Sequence, residues 1–115
     1  MTRRQRQFQA GALLLFAAAA GYLLLLLMAF SGWAIFAIAM SAAHFALGLG
    51  VMRGWRIAGY GAFVIALLGA VVTFGAALPE SGLLRLLFWI LLGVEVVTAA
   101  LLLGLLWNNP RADSV

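Results

Sequence analysis

The sequence has no cysteine and no lysine, and its 115 residues include only three acidic residues and one histidine. Without cysteine, disulfide bonds, thiolate catalysis, cysteine metal sites and palmitoylation are excluded. Charged residues make up 9% of the chain, whereas about a quarter is typical of a soluble domain. Because so few charges cannot cover a soluble globule, we expect lipid to be the solvent around most of the chain.

Long apolar runs take the place of the missing charges. Hydrophobic residues make up 67% of the chain, and its mean hydropathy is +1.17. No formally charged residue lies between Arg6 and Arg53 unless His44 is protonated. A membrane-spanning helix needs about 20 apolar residues, so this stretch is long enough for two spans. We predict a single transmembrane domain over residues 1–115, with spans at about 8–30, 33–52, 57–78 and 83–107.

Short polar segments separate the predicted spans. Ser31-Gly32 forms the first predicted turn, and the basic segment 53–56 forms the second connection. The segment 79–82 combines proline, glycine and two polar residues, which is a strong turn signal. The tail 108–115 is polar and contains Pro110, so we predict that it is disordered.

The arginines are distributed unevenly across the predicted membrane. Six of them fall on one side, and only Arg85, close to Glu80, falls on the other. Basic residues in short loops favour the cytoplasmic side. We therefore predict an all-α membrane protein, with four antiparallel helices in a small up-down bundle and both termini in the cytoplasm. The six arginines of the cytoplasmic side are Arg3, Arg4, Arg6, Arg53, Arg56 and Arg111.

The first five of these arginines are interpreted as topology determinants that face the lipid. Contact with anionic lipid is a second role for Arg53 and Arg56. The net charge of +4 follows from these anchoring residues, so it does not indicate a nucleic-acid partner. We expect an integral protein of the bacterial cytoplasmic membrane, with the lipid bilayer as its surroundings.

Stripes of small residues mark candidate helix-packing faces, because apolar burial does not drive helices together in lipid. They are interpreted as packing within one bundle. The alternative is that one stripe, with that of the fourth span as the candidate, docks another subunit. The third-span stripe is Gly59, Ala62, Ala66, Gly69, Thr73 and Ala76, the fourth-span stripe is Gly93, Val97, Ala100 and Gly104, and the second-span stripe is Ala34, Ala37, Ser41, His44 and Gly48.

His44 and Glu95 stand out as ionisable residues inside predicted spans. Such residues are costly in the membrane and indicate a functional site by default. Counted from the outer boundary at 1.5 Å per residue, they lie roughly 17 and 18 Å deep, so they can meet. A meeting allows two states: neutral Glu95 donating to neutral His44, or an ion pair. Ser41 and Thr98, each one turn away, are predicted to supply further hydrogen bonds.

Three roles remain open for His44 and Glu95: a polar clasp that fixes helix register, a proton or cation site, and a contact to a partner subunit. No phosphate loop, nucleophile elbow, carboxylate pair or histidine cluster is present, so we predict no catalytic residue, metal or cofactor. We expect an association protein, either an accessory subunit of a larger membrane complex or a homo-oligomer. The alternative is an oligomeric proton-coupled transporter or channel, with Glu95 as titrating group and His44 as its partner.

Overall fold

Four long apolar helices make up the described part of the chain. This computed structural model describes residues 2–28 and 30–108. Each of the four helices is long and apolar enough to cross a membrane, which confirms the all-helical fold class and supports an integral membrane location. The direction of each crossing and the side of the termini stay predictions. The helices are α1 (Arg3–Met28), α2 (Phe30–Met52), α3 (Arg56–Ala77) and α4 (Gly82–Asn108).

Helix α1 begins ahead of the predicted apolar span because its first turn is capped. The backbone N–H of Thr2 donates to Oε1 of Gln5 over 2.9 Å, and the backbone N–H of Gln5 donates to Oγ1 of Thr2 over 3.1 Å. This reciprocal pair is a capping box of the Thr-x-x-Gln type, which satisfies two N–H groups at a helix start. Arg3, Arg4 and Arg6 are therefore helical.

The connections differ in part from those predicted. Because α2 begins at Phe30, Ser31-Gly32 belongs to its first turn, where the N–H groups have no intrahelical partners and serine and glycine are tolerated. The two other connections lie where they were predicted. Gly54 lies in the first of them, and Gly82 follows the second as the first residue of α4. Both have positive φ, 78° and 65°, a backbone conformation that residues with a side chain rarely adopt. The predicted tail after Asn108 lies outside the described residues.

The helices pack in chain order around a ring, an arrangement compatible with a helical bundle. Helices α1 and α3 each contact both α2 and α4, so α2 and α4 lie diagonally opposite each other. Two clusters of buried apolar side chains fill the interior. The first includes Leu25 and Phe88, and the second includes Leu15 and Leu105. Between these clusters lies a buried polar layer.

The predicted small-residue stripes face different directions. All six residues of the α3 stripe are buried, as are the α2 residues of the stripe from Ala37 onwards. In the α4 stripe, Gly93, Val97 and Ala100 are exposed and Gly104 is half-buried. A Cβ built on either glycine meets no atom within 4 Å. The α4 stripe therefore does not pack within the bundle, and its role in contact with another subunit stays a prediction.

The direction of the α4 stripe follows from the position of Glu95. Two residues along a helix lie roughly 200° apart around its axis, so Gly93 and Glu95 point to nearly opposite sides. Glu95 is buried on the inner face of α4, where buried residues follow at intervals of three and four: Leu91, Glu95, Thr98, Leu102 and Leu105. The stripe cannot face the interior while Glu95 is buried. Burial of the ionisable group therefore sets the rotation of α4.

Candidate functional site

His44 and Glu95 meet in the middle of the four helices. Nε2 of His44 lies 2.8 Å from Oε1 of Glu95. Both side chains are 0% exposed. Because His44 is on α2 and Glu95 is on α4, this contact crosses the bundle diagonal. It therefore links two helices that otherwise pack against their neighbours in the ring.

The tautomer of His44 follows from its second ring nitrogen. Nδ1 lies 2.7 Å from the backbone carbonyl oxygen of Met40, one turn earlier on α2. Because a carbonyl only accepts hydrogen bonds, Nδ1 carries a hydrogen and donates it. Nε2 then either accepts a hydrogen bond from a neutral Glu95 carboxyl or, in an imidazolium ring, donates to the carboxylate. In both states one proton lies between Nε2 and Oε1, and the pair has no net charge.

Tyr22 of α1 completes the hydrogen bonding of the Glu95 carboxyl group. Its phenol donates to Oε2 of Glu95 over 2.8 Å. Its ring is 0% exposed and lies 5.1 Å from the His44 ring, measured between centroids. Both carboxyl oxygens are therefore engaged. We call His44, Glu95 and Tyr22 the clasp.

Tyr22 is the residue that sequence reasoning missed. Counted by Cα position along its predicted span, Tyr22 lies nearer the outer boundary than His44 and Glu95 do. Side chains of a helix lean toward its N-terminus, and the long tyrosine side chain carries its hydroxyl well away from its own Cα. A phenol inside a span also needs a hydrogen-bond partner. The direction of helical side chains and the need of a buried phenol for a partner are the features of the sequence that point to Tyr22.

Helix α3 contributes Gly69, whose lack of a side chain leaves space for the Glu95 carboxyl group. A Cβ built at this position would overlap the Glu95 carboxyl group and lie 2.8 Å from the Tyr22 hydroxyl. The carboxyl group thus occupies the space that any other residue at position 69 would fill. All four helices therefore meet at Glu95: α1 through Tyr22, α2 through His44, α3 through Gly69, and α4 through Glu95 itself.

Ser41 and Thr98 lie near the clasp but do not bond to it, contrary to the prediction. The hydroxyl of Ser41 donates to the carbonyl of Ala19 over 3.0 Å, which ties α2 to α1. The hydroxyl of Thr98 donates to the carbonyl of Val94 over 2.6 Å, one turn earlier on its own helix. Serine and threonine in helices readily bond to the carbonyl four residues back, and Tyr22 already occupies Oε2 of Glu95.

The buried polar layer is fully hydrogen-bonded. Thr73 donates to the carbonyl of Gly69 over 2.7 Å. Among the described residues, no buried side-chain nitrogen or oxygen lacks a hydrogen-bond partner. Since an unsatisfied buried polar group costs about 1–3 kcal/mol, the layer stabilises this arrangement of helices over others that would break it.

The arginines that were predicted to set the topology lie together at one end of the described structure. Arg3 and Arg6 are exposed on the first turns of α1, and Arg4 donates to the carbonyl of Gly54 in the α2–α3 connection over 3.4 Å. Arg53 lies over the ring of Trp55. Arg56 lies over the Tyr60 ring and donates to the carbonyl of Leu106 near the end of α4. Arg111 lies outside the described residues.

The described part of the chain contains no group of three or more histidine, aspartate or glutamate side chains that could hold a metal ion. Comparisons with protein-family models, with curated proteins and with solved structures each find no match to this chain. Chemically, the clasp can hold one proton and move it between Nε2 and Oε1 while the pair stays neutral.

Replacing Gly69 by alanine tests the contact between α3 and Glu95. The added methyl group would displace the carboxyl group, so we expect Gly69→Ala to lower the free energy of unfolding by roughly 1–3 kcal/mol, as overpacking does. Gly93→Ala is the matched control, because its Cβ meets nothing, and it should leave stability unchanged or higher. Titration with denaturing detergent, followed by tryptophan fluorescence, measures both. Equal effects of the two variants would contradict the contact.

Two substitutions of Glu95 test the clasp. In Glu95→Gln the amide can donate to Nε2 of His44 and accept from Tyr22, so we expect nearly wild-type stability. Glu95→Met leaves both partners unsatisfied and should lower the free energy of unfolding by at least about 1–3 kcal/mol. The same detergent titration applies. A Gln variant as unstable as the Met variant would indicate an obligate ion pair, and His44→Ala without any loss of stability would reject the clasp.

Proposed function

We propose that this chain is a small, non-catalytic integral membrane protein that acts by helix–helix association, as an accessory subunit of a larger complex or as a homo-oligomer. The outward face of α4 carries this proposal. Gly93, Ala100 and Gly104 lie along it, and the space beside both glycines is open. In lipid, small residues permit close approach of helix backbones, which is a main source of association.

In this proposal the clasp holds the four helices in fixed rotation. Because Glu95 is bonded toward the interior, the opposite face of α4 is presented outward. The proposed topology has four antiparallel spans and both termini on the cytoplasmic side of a bacterial membrane. It is supported by the arginines gathered at one end, where Arg4 reaches the connection next to Arg53, because basic residues favour the cytoplasmic face.

A proton-coupled transporter or channel is the second candidate. The observation that favours it is the 2.8 Å contact between Nε2 of His44 and Oε1 of Glu95, because intramembrane acid and histidine side chains form proton relays in pumps and transporters. In this candidate Glu95 is the titrating group and His44 is its partner. Both side chains are fully buried, so exchange of the proton with water requires the helices to move, and a pathway requires several copies of the chain.

The association proposal predicts a particle heavier than one 12.2 kDa chain after gentle extraction into lipid nanodiscs. Gly104→Leu should reduce the assembled fraction several-fold without lowering thermal stability, because leucine would block close approach at α4. Gly75→Leu is the matched control, since this exposed α3 glycine likewise has no atom within 4 Å of a built Cβ. Mass photometry measures the particle. Extra copies indicate a homo-oligomer, a different bound protein indicates an accessory subunit, and a wild-type monomer contradicts the proposal.

The transport candidate predicts that Glu95→Gln abolishes proton-coupled flux while assembly stays intact. Glutamine keeps the shape and hydrogen bonds of the site but cannot titrate. Flux is measured in reconstituted vesicles with a trapped pH-sensitive dye, and assembly is measured on the same preparation. Absence of flux in the wild type, or retained flux in the variant, rejects transport and leaves the association proposal standing.

A further inference from the structure

A half-open cavity of about 300 Å³ lies at the arginine end, between the first turns of α1 and the α2–α3 connection. Its polar wall is formed by two guanidinium groups and two carboxamides. Its apolar part is formed by one buried ring and one half-exposed thioether. The guanidinium groups belong to Arg4 and Arg53, the carboxamides to Gln5 and Gln9, the ring to Phe8 and the thioether to Met52.

Three contacts hold the guanidinium groups at the cavity. Arg4 is half-buried, lies 4.8 Å above the Phe8 ring and donates to the Gly54 carbonyl. Arg53 lies 5.4 Å from the centre of the Trp55 ring. An aromatic ring and a backbone oxygen thus restrain Arg4, and an aromatic ring restrains Arg53. Positioned guanidinium groups are well suited to phosphate, because each presents paired donors to its oxygens.

The charge at this end is positive and has little acid to balance it. Of the three acidic residues in the chain, Glu95 is buried in the clasp and Glu80 lies in the α3–α4 connection, at the other end of α3. Asp113 lies outside the described residues. The described part of the arginine end therefore contains no carboxylate, and an anion is the complementary ligand.

The apolar part of the cavity indicates what the anion is attached to. Both Phe8, which is 2% exposed, and Met52, which is 46% exposed, line the cavity. Trp55 and Trp107 are exposed near the same end, as expected at a membrane interface. Phosphate next to hydrocarbon is the chemistry of a phospholipid headgroup.

We propose that this cavity binds the phosphate group of an anionic phospholipid, with Arg4 and Arg53 pairing with its oxygens and Met52 contacting the start of an acyl chain. Arg3 and Arg6 belong to the same helix end but do not line the cavity. They attract anionic surfaces in general, whereas Arg4 and Arg53 form a defined site. The site is independent of the clasp and of the association face of α4.

The test uses the full chain in nanodiscs of phosphatidylcholine, with short-chain phosphatidylglycerol as the probe and native mass spectrometry to count bound lipid. We expect one phosphatidylglycerol to bind in preference to phosphatidylcholine. Arg53→Gln should weaken this binding about tenfold or more, as expected for a lost charge-assisted hydrogen bond. Arg6→Gln removes the same charge at the same end and should weaken it less than about twofold.

Three outcomes would overturn the proposal. Equal weakening by Arg53→Gln and Arg6→Gln would indicate diffuse attraction without a site. If the Arg53→Gln variant binds phosphatidylglycerol as tightly as the wild type and has the same thermal stability in phosphatidylcholine, Arg53 does not bind the lipid. Binding of inorganic phosphate with the same dependence on Arg53 and with equal affinity would assign the site to free phosphate.

Discussion

The hydrogen bonding of one carboxyl group determines how this protein is built. Glu95 lies between two apolar clusters, where each of its oxygens needs a partner. His44 supplies one and Tyr22 supplies the other, and Gly69 provides the space that the group occupies. Because these residues come from α1, α2 and α3, a rotation or shift of any helix would break a hydrogen bond or create an overlap.

The outer surface follows from this constraint. With Glu95 turned inward, the small residues of α4 point away from the bundle, and association through that face needs no rearrangement of the interior. The arginine end is organised separately, by rings and backbone oxygens that hold guanidinium groups in place. The protein thus has a fixed interior and two distinct outward surfaces, one suited to a helix and one suited to an anion.

The number, type and approximate extent of the helices were predictable because long apolar runs leave few alternatives. The start of α1 was harder to predict, because its capping box lies outside the apolar run. Thr2 and Gln5 nevertheless have the spacing of a capping box in the sequence. His44 and Glu95 could be selected because they are the ionisable groups of the span interiors. Tyr22 and Gly69 could not be selected as parts of the site, because the reach of the tyrosine side chain and the space beside the glycine depend on helix rotation. The outward direction of the α4 stripe could not be predicted for the same reason.

The clasp also has a consequence for the order in which the chain is made. Tyr22 and His44 are synthesised with the first two helices, and Glu95 comes only with the last. Until α4 docks, the phenol and the imidazole have no carboxyl group between them, and the apolar clusters on either side are incomplete. A nascent chain that has made only the first three helices therefore lacks the acceptor for the Tyr22 phenol and the partner of Nε2 of His44. Docking of α4 supplies both through a single carboxyl group.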